Sequence, residues 1–310
     1  MSSTAAPPPV HLPASSAHHG PAKPQARSSE TPAVPLTLDG SPVLHQMFRV
    51  RWAELKKISA EARAALADEA ARTFEALEQH PEGGSAVFAQ LGHKGDLLLV
   101  HFRRSFEALN QVELAISQLC LNEFLEPTTS YVSTVELGLY AGSLQVYRQL
   151  LEAGVEPGSE DWVAAEAEKL AEQRQAMLPR LHPSVPANRY VCFYPMDKKR
   201  SDGNNWYSTP IEDRARMMRD HGAIGRRYAG KVKQIISGSI GFDDWEWGVD
   251  LFADDPLVFK QLIYEMRFDE ASALYAAFGP FYIGMRFPAA ELRSFLEGRP
   301  PAYGAPSESA

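Results

Sequence analysis

Read for the spacing of its apolar positions, the chain shows one succession of elements twice. "LHQMFRVRW" (44–52) reads as a strand. "SAEARAALADEAARTFEALEQH" (59–80) reads as an amphipathic helix, with Ala62, Leu66, Ala70, Phe74 and Leu77 at helical spacing. "SAVFAQLG" and "DLLLVHF" form two strands around a short "HKG" turn. A helix over 105–120 and a strand over 130–140 follow. The second half repeats this order: a strand over 189–196, a helix over 209–230, strands "KVKQIISGS" and "WEWGVDLFA" around an "IGFDD" turn, a helix over 255–268 and a strand over 278–287. Ser105, and Asp255 followed by Pro256, sit where helix N-termini need them.

Each βαββαβ half is the pattern of a ferredoxin-like unit, with helices on one face of an antiparallel sheet. The other sheet face needs a cover. Two such sheets packed together within one chain predict an α+β fold, a dimeric α+β barrel. The expected boundaries are a disordered tail at 1–40, the first unit at 41–150, a helix and linker at 151–188, the second unit at 189–297, and a loose end at 298–310.

The bulk numbers fit a globular chain. Of 310 residues, 45% are hydrophobic and 23% charged. The net charge of −8 argues against a general nucleic-acid binder, and makes a local cluster of cations more telling. The two cysteines, Cys120 and Cys192, lie in no metal-binding or haem-attachment spacing. They read as reduced thiols in a cytoplasmic protein. No apolar run is long enough to span a bilayer. The first 40 residues are rich in Pro, Ala and Ser, lack the apolar core of a secretory signal, and carry three histidines (His11, His18, His19) best read as solvated.

Two stretches carry candidate chemistry. The helix from Thr209 opens with a capping-box pattern, Thr209, Pro210 and Glu212. Its His221 shares a face with Arg214, Met217, Met218, Ile224, Gly225 and Tyr228. A lone imidazole on such a face is more often a core or interface histidine, and no second ligand stands at i+4 for zinc. It is also what a haem iron needs on one axial side. The second stretch, "YPMDKKR", puts Tyr194 and Met196 ahead of Lys198, Lys199 and Arg200. It reads either as a solvated basic turn or as a site for carboxylates.

The segments "YPMDKKR…NWY", "HG…GR.Y" and "KVKQIISGSIGFDDWEWGVDLFADDPLVFKQLIYEMRFDEASALYAAFGPFY" resemble the coproheme decarboxylases, the haem-synthesis branch of the chlorite-dismutase-like superfamily. The resemblance covers roughly 41–295 and is dense over 177–284. It implies the double ferredoxin-like barrel, assembled as a homopentamer. It also implies a final haem-synthesis step, in which two propionates of iron coproporphyrin III (coproheme, both substrate and cofactor) are decarboxylated by hydrogen peroxide to give haem b. Transient contact with a ferrochelatase is implied as well.

By this resemblance His221 is the axial iron ligand, Tyr194 the redox-active residue, and Lys198, Arg180, Met196 and Ser272 the propionate contacts. Gln234 is the distal residue. The alternatives are a chlorite dismutase or haem peroxidase of the same superfamily, a non-catalytic haem carrier, or a cofactor-free binding module. Gln234 stands where chlorite dismutases place an arginine, and Glu270 lies near where they place a glutamate beside the axial histidine.

Overall fold

The computed structural model describes residues 31–303. The three tail histidines, and the expectations for residues 1–30 and 304–310, lie outside the described residues. The first half contains β1 (Thr37–Val50), a short α1 (Trp52–Leu55), α2 (Ala60–Glu78), β2 (Gly84–Leu91), β3 (Leu97–Phe102), α3 (Phe106–Ser117) and β4 (Leu125–Gly138). Two helices, α4 (Tyr140–Glu152) and α5 (Glu160–Leu181), connect the halves. Then come β5 (Tyr190–Lys198), a tiny hairpin of β6 (Arg200–Ser201) and β7 (Asn204–Asn205), α6 (Ile211–Arg227), β8 (Lys233–Gly238) and β9 (Trp247–Ala253). The chain closes with α7 (Leu257–Met266), α8 (Glu270–Tyr275), β10 (Ala276–Phe278), β11 (Tyr282–Phe287) and α9 (Leu292–Leu296).

The strands run in the order β10-β5-β11-β2-β3-β1-β4-β8-β9, and β5 also pairs with β9. That last pairing closes the sheet into a ring, with β10 appended to β5, and so leaves few free edges. All of its pairings are antiparallel. Because side chains alternate along a strand, each strand fills both the ring interior and the space under a helix. Val43 and Met47 of β1, Val191 and Phe193 of β5, and Phe252 of β9 fill the interior. His45 and Asp250 lie there too, fully buried and joined Nε2 to Oδ1 at 2.9 Å. The imidazole stacks on Phe193 with ring centroids 4.0 Å apart.

Outside the ring the halves differ. On the first, α2 and α3 lay Ala67, Ala70, Phe74, Val112 and Ile116 directly onto Val87, Leu97 and Leu99. On the second, Cys192, Tyr194, Val249 and Leu251 face Phe259, Leu262 and Met266 of α7, with α6 alongside. There the packing leaves a cavity.

Several expectations shift. β1 begins at Thr37, inside the stretch expected to be tail, and the backbone before it is anchored: Leu36 N–H bonds Ser143 Oγ at 2.8 Å and Tyr147 O–H bonds Val34 C=O at 2.6 Å. The strand expected over 278–287 is split by "GPF" into β10 and β11, and the helix over 255–268 ends before a separate α8. Helix α4 has no counterpart in the expected order. Thr209 does not cap α6: its hydroxyl donates to Asn205 C=O at 2.9 Å and no side chain caps that helix. Ser105 does cap α3, accepting from Ala108 N–H at 3.2 Å.

Candidate functional site

The cavity on the second half has a volume of about 1360 Å³. That exceeds the roughly 300–1,000 Å³ of pockets for drug-sized molecules. His221, Tyr194, Lys198, Arg180, Met196, Ser272 and Gln234 all line it, although they come from separate segments of the chain. The register explains how one wall is built. Outward positions of β5, β9 and β8 fall into cross-strand rows: Tyr194 opposite Val249 opposite Ile236, then Met196 opposite Trp247, and Leu251 opposite Gln234. This wall is broad and mostly apolar, with Gln234 at one margin. The helix α6 carries His221 on another wall.

The imidazole of His221 is fixed from behind. Its Nδ1 lies 2.9 Å from Asp269 Oδ2. Asp269 is the N-cap of α8 and accepts the Ser272 N–H at 2.9 Å. Burial works against its charge, yet hydrogen bonds from His221 and Ser272 outweigh that and hold the carboxyl below the usual range. An ionised carboxylate accepts, so Nδ1 donates; in the neutral ring that tautomer puts the lone pair on Nε2, the arrangement metal-binding histidines use.

Ser272, expected to touch substrate carboxylates, has its hydroxyl turned to this pair: it donates to Asp269 Oδ2 at 3.1 Å and lies 3.4 Å from His221 Nδ1. Glu270 is not the acid beside the histidine. It faces away and binds Arg216 at 2.8 and 3.1 Å. The signal for Asp269 in the sequence is its "DEAS" N-cap pattern, Asp269 preceding Ser272 by three residues.

Tyr194 is buried, its ring 4.6 Å from that of Phe281. Burial raises its pKa strongly, so the phenol stays protonated. Lys198 is half-buried, with Nζ 4.4 Å from the centroid of the Trp206 ring. Desolvation lowers its pKa to about 8, against the opposing pull of Asp269 and Glu246. Of the expected cluster of cations, only Lys198 and Arg180 reach the cavity; Arg200 turns outward to Glu246 at 3.6 Å, and Lys199 is absent from the lining. Arg214, Arg219, Arg226 and Lys233 line it instead, together with Glu136, whose Oε1 accepts the Trp247 indole N–H at 3.1 Å.

Among the described residues no three His, Cys, Asp or Glu side chains gather closely enough to hold a bare ion. A metal at His221 Nε2 would have to bring its own ligands. An iron porphyrin does, and the single backed imidazole, the wide apolar wall and the cationic rim fit one.

The model of the chlorite dismutase family matches residues 63–287, and the chain belongs to that family. Over 269 residues it is 44% identical to a protein of Haloquadratum walsbyi described as a candidate heme-binding protein. The match takes in 86% of this chain and 48% of the relative, so the chain spans about half that protein's length. A solved structure described as a novel heme-binding protein from Thermus thermophilus is 38% identical, with a TM-score of 0.72, over 86% of this chain and 98% of that one. A chlorite dismutase variant from Candidatus Nitrospira defluvii shares the fold at 16% identity, with a TM-score of 0.62, over 83% of this chain and 95% of that one. No helix among the described residues is long and apolar enough to cross a membrane.

Proposed function

We infer that the protein binds iron coproporphyrin III and decarboxylates two of its propionates with hydrogen peroxide, completing haem b. The observation that carries this reading is the shared cavity of a protonated phenol, Tyr194, a partly desolvated cation, Lys198, and an imidazole backed by a carboxylate, His221 with Asp269. A site for haem alone has no need of a redox-capable phenol beside a carboxylate-binding cation. The two heme-binding relatives support the porphyrin.

For each propionate the change is CH2CH2COO⁻ + H2O2 + H⁺ → CH=CH2 + CO2 + 2 H2O. The propionate arm loses two electrons and peroxide gains them. The iron porphyrin, as substrate, supplies the centre at which peroxide is reduced. The chain supplies position and charge. His221 Nε2 holds the iron from one side. Lys198 and Arg180 hold carboxylates. Tyr194 gives up its phenolic hydrogen and recovers one from the β-carbon of the propionate, which removes the first electron; the second then leaves to the peroxide-derived oxidant as the bond to the carboxylate breaks, releasing CO2 and leaving the vinyl group. Gln234, being uncharged, puts no cation where an anionic oxidant would bind, which weighs against chlorite as substrate.

The two βαββαβ halves are read as ferredoxin-like units sharing one barrel. Homopentameric assembly, a cytoplasmic setting and substrate delivery by a ferrochelatase accompany this reading. The test is to incubate the protein with iron coproporphyrin III and titrate in peroxide. Two successive losses of CO2, followed by mass, support it. Binding without any loss would leave a heme carrier, and chloride with dioxygen from added chlorite would point to a dismutase.

A further inference from the structure

Helix α6 has several arginines, and their surroundings differ. Arg216 meets Glu270 at 2.8 Å, Arg227 meets Glu265 at 2.6 Å, and Arg219 approaches Asp220 at 4.0 Å. Arg214 meets no carboxylate among the described residues. It is nonetheless only 3% exposed, and its Nε is buried with no hydrogen-bond partner. Its Nη2 donates to the Ala33 carbonyl, on the anchored segment before β1. Glu136, the carboxylate in the cavity lining, is engaged by the Trp247 indole.

A buried guanidinium without a counter-charge is costly, and the cost is offset when an anion arrives. Arg214 lies on the cavity wall. It precedes His221 by two helical turns, on the same face and about 10 Å along the axis. A planar group centred over His221 would therefore extend its rim toward Arg214.

We propose that Arg214 is a carboxylate-binding residue of this site, clamping one acid group on the rim of the bound porphyrin. This rests on the function inferred above and adds a contact to it. The guanidinium offers a planar fork that a lysine lacks. The Ala33 carbonyl occupies one arm and so orients the fork before substrate enters. Part of the affinity then comes from relieving an uncompensated charge, and the site favours an acid over a neutral group of the same shape.

The test titrates the full-length protein, Arg214→Gln and Arg214→Lys with iron coproporphyrin III and with its uncharged tetramethyl ester, read by Soret absorbance. The Gln variant is expected to bind the tetra-acid about tenfold to a hundredfold more weakly, the range for losing a hydrogen bond to a charged group. Arg214→Lys, which keeps the charge and guards against a folding failure of the Gln variant, is expected to lose less. All three proteins are expected to bind the ester equally. Unchanged affinity of both variants for the tetra-acid overturns the proposal. So does equal weakening for acid and ester, which would leave Arg214 only the task of holding the segment at Ala33. Failure of the parent to bind either porphyrin removes the function inferred above, and this contact with it.

Discussion

Asp269 performs two tasks that substitutions can separate. Its Oδ1 caps α8 through the Ser272 N–H, and its Oδ2 holds His221 Nδ1. Asn caps a helix about as well as Asp, so Asp269→Asn keeps the first task; with its single carbonyl oxygen on the Ser272 N–H it turns an NH2 donor toward His221 Nδ1, and so removes both the charge and the acceptor from the second. Asp269→Ala removes both. Loss of an N-cap costs about 0.5–2 kcal/mol, so the Ala variant should melt earlier while the Asn variant stays near the parent. The charge has a different readout. A carboxylate behind the ring makes Nε2 a stronger base, and removing such a partner lowers metal affinity by about 10- to 100-fold. Both variants should therefore bind iron coproporphyrin III more weakly by about that factor, with a change in the iron spin state. Soret titration and electron paramagnetic resonance of the complexes measure this, and thermal unfolding of the unliganded proteins measures the cap. If Asp269→Asn binds with parental affinity and an unchanged spin state, the backing carboxylate has no bearing on the axial ligand, and the assignment of His221 falls with it.

Three further outcomes are expected. Tyr194→Phe keeps the ring packed on Phe281 and should change porphyrin affinity by less than about tenfold, yet nearly abolish CO2 release; haem b formed at even a tenth of the parental rate would make Tyr194 a positioning residue. Lys198, lowered by burial to about 8, is cationic below that pH and neutral above it, so affinity for the tetra-acid should fall as pH rises through about 8 while affinity for the tetraester stays level; parallel pH profiles for the two ligands would contradict the assignment. Gly284→Ala in β11 would bring a Cβ to 2.8 Å from Phe88 Cβ and 3.2 Å from Val191 Cγ1, inside the packed ring, and should cost about 1–3 kcal/mol in chemical unfolding; an unchanged midpoint would mean the ring is loosely packed there.

The sequence by itself determined the order of the main strands and helices in each half, though not α4, α8 or the split of the last strand, and most of the residue types at the site. The apolar runs "RYVCFYPM" and "WEWGVDLFA" and the 3.6-residue period of the His221 helix are local properties, and they were legible because a strand buried on both faces, or a helix face that is buried, must be apolar. Resemblance in the dense segments named seven residues, and all seven line one cavity. What tertiary structure alone decided were choices between near neighbours.

Of Asp269 and Glu270, both acids beside the same helix start, one caps α8 and backs His221, and the other points outward to Arg216. Of Lys198, Lys199 and Arg200, only the first enters the cavity: alternation through β5 sends it to the same side as Tyr194 and Met196, while Arg200 lies past the end of β5 in the β6–β7 hairpin and meets Glu246. Thr209 has the residue type of a cap, but the turn before α6 directs its hydroxyl to Asn205. Arg214 could be placed on the face of His221 from helical spacing, yet only packing shows that it is buried there with its Nε unpartnered and no acid of the described residues beside it. A residue's type and period are set by its neighbours in sequence. Its partner is set by which distant segment the closed ring brings within hydrogen-bonding distance, and no local pattern encodes that.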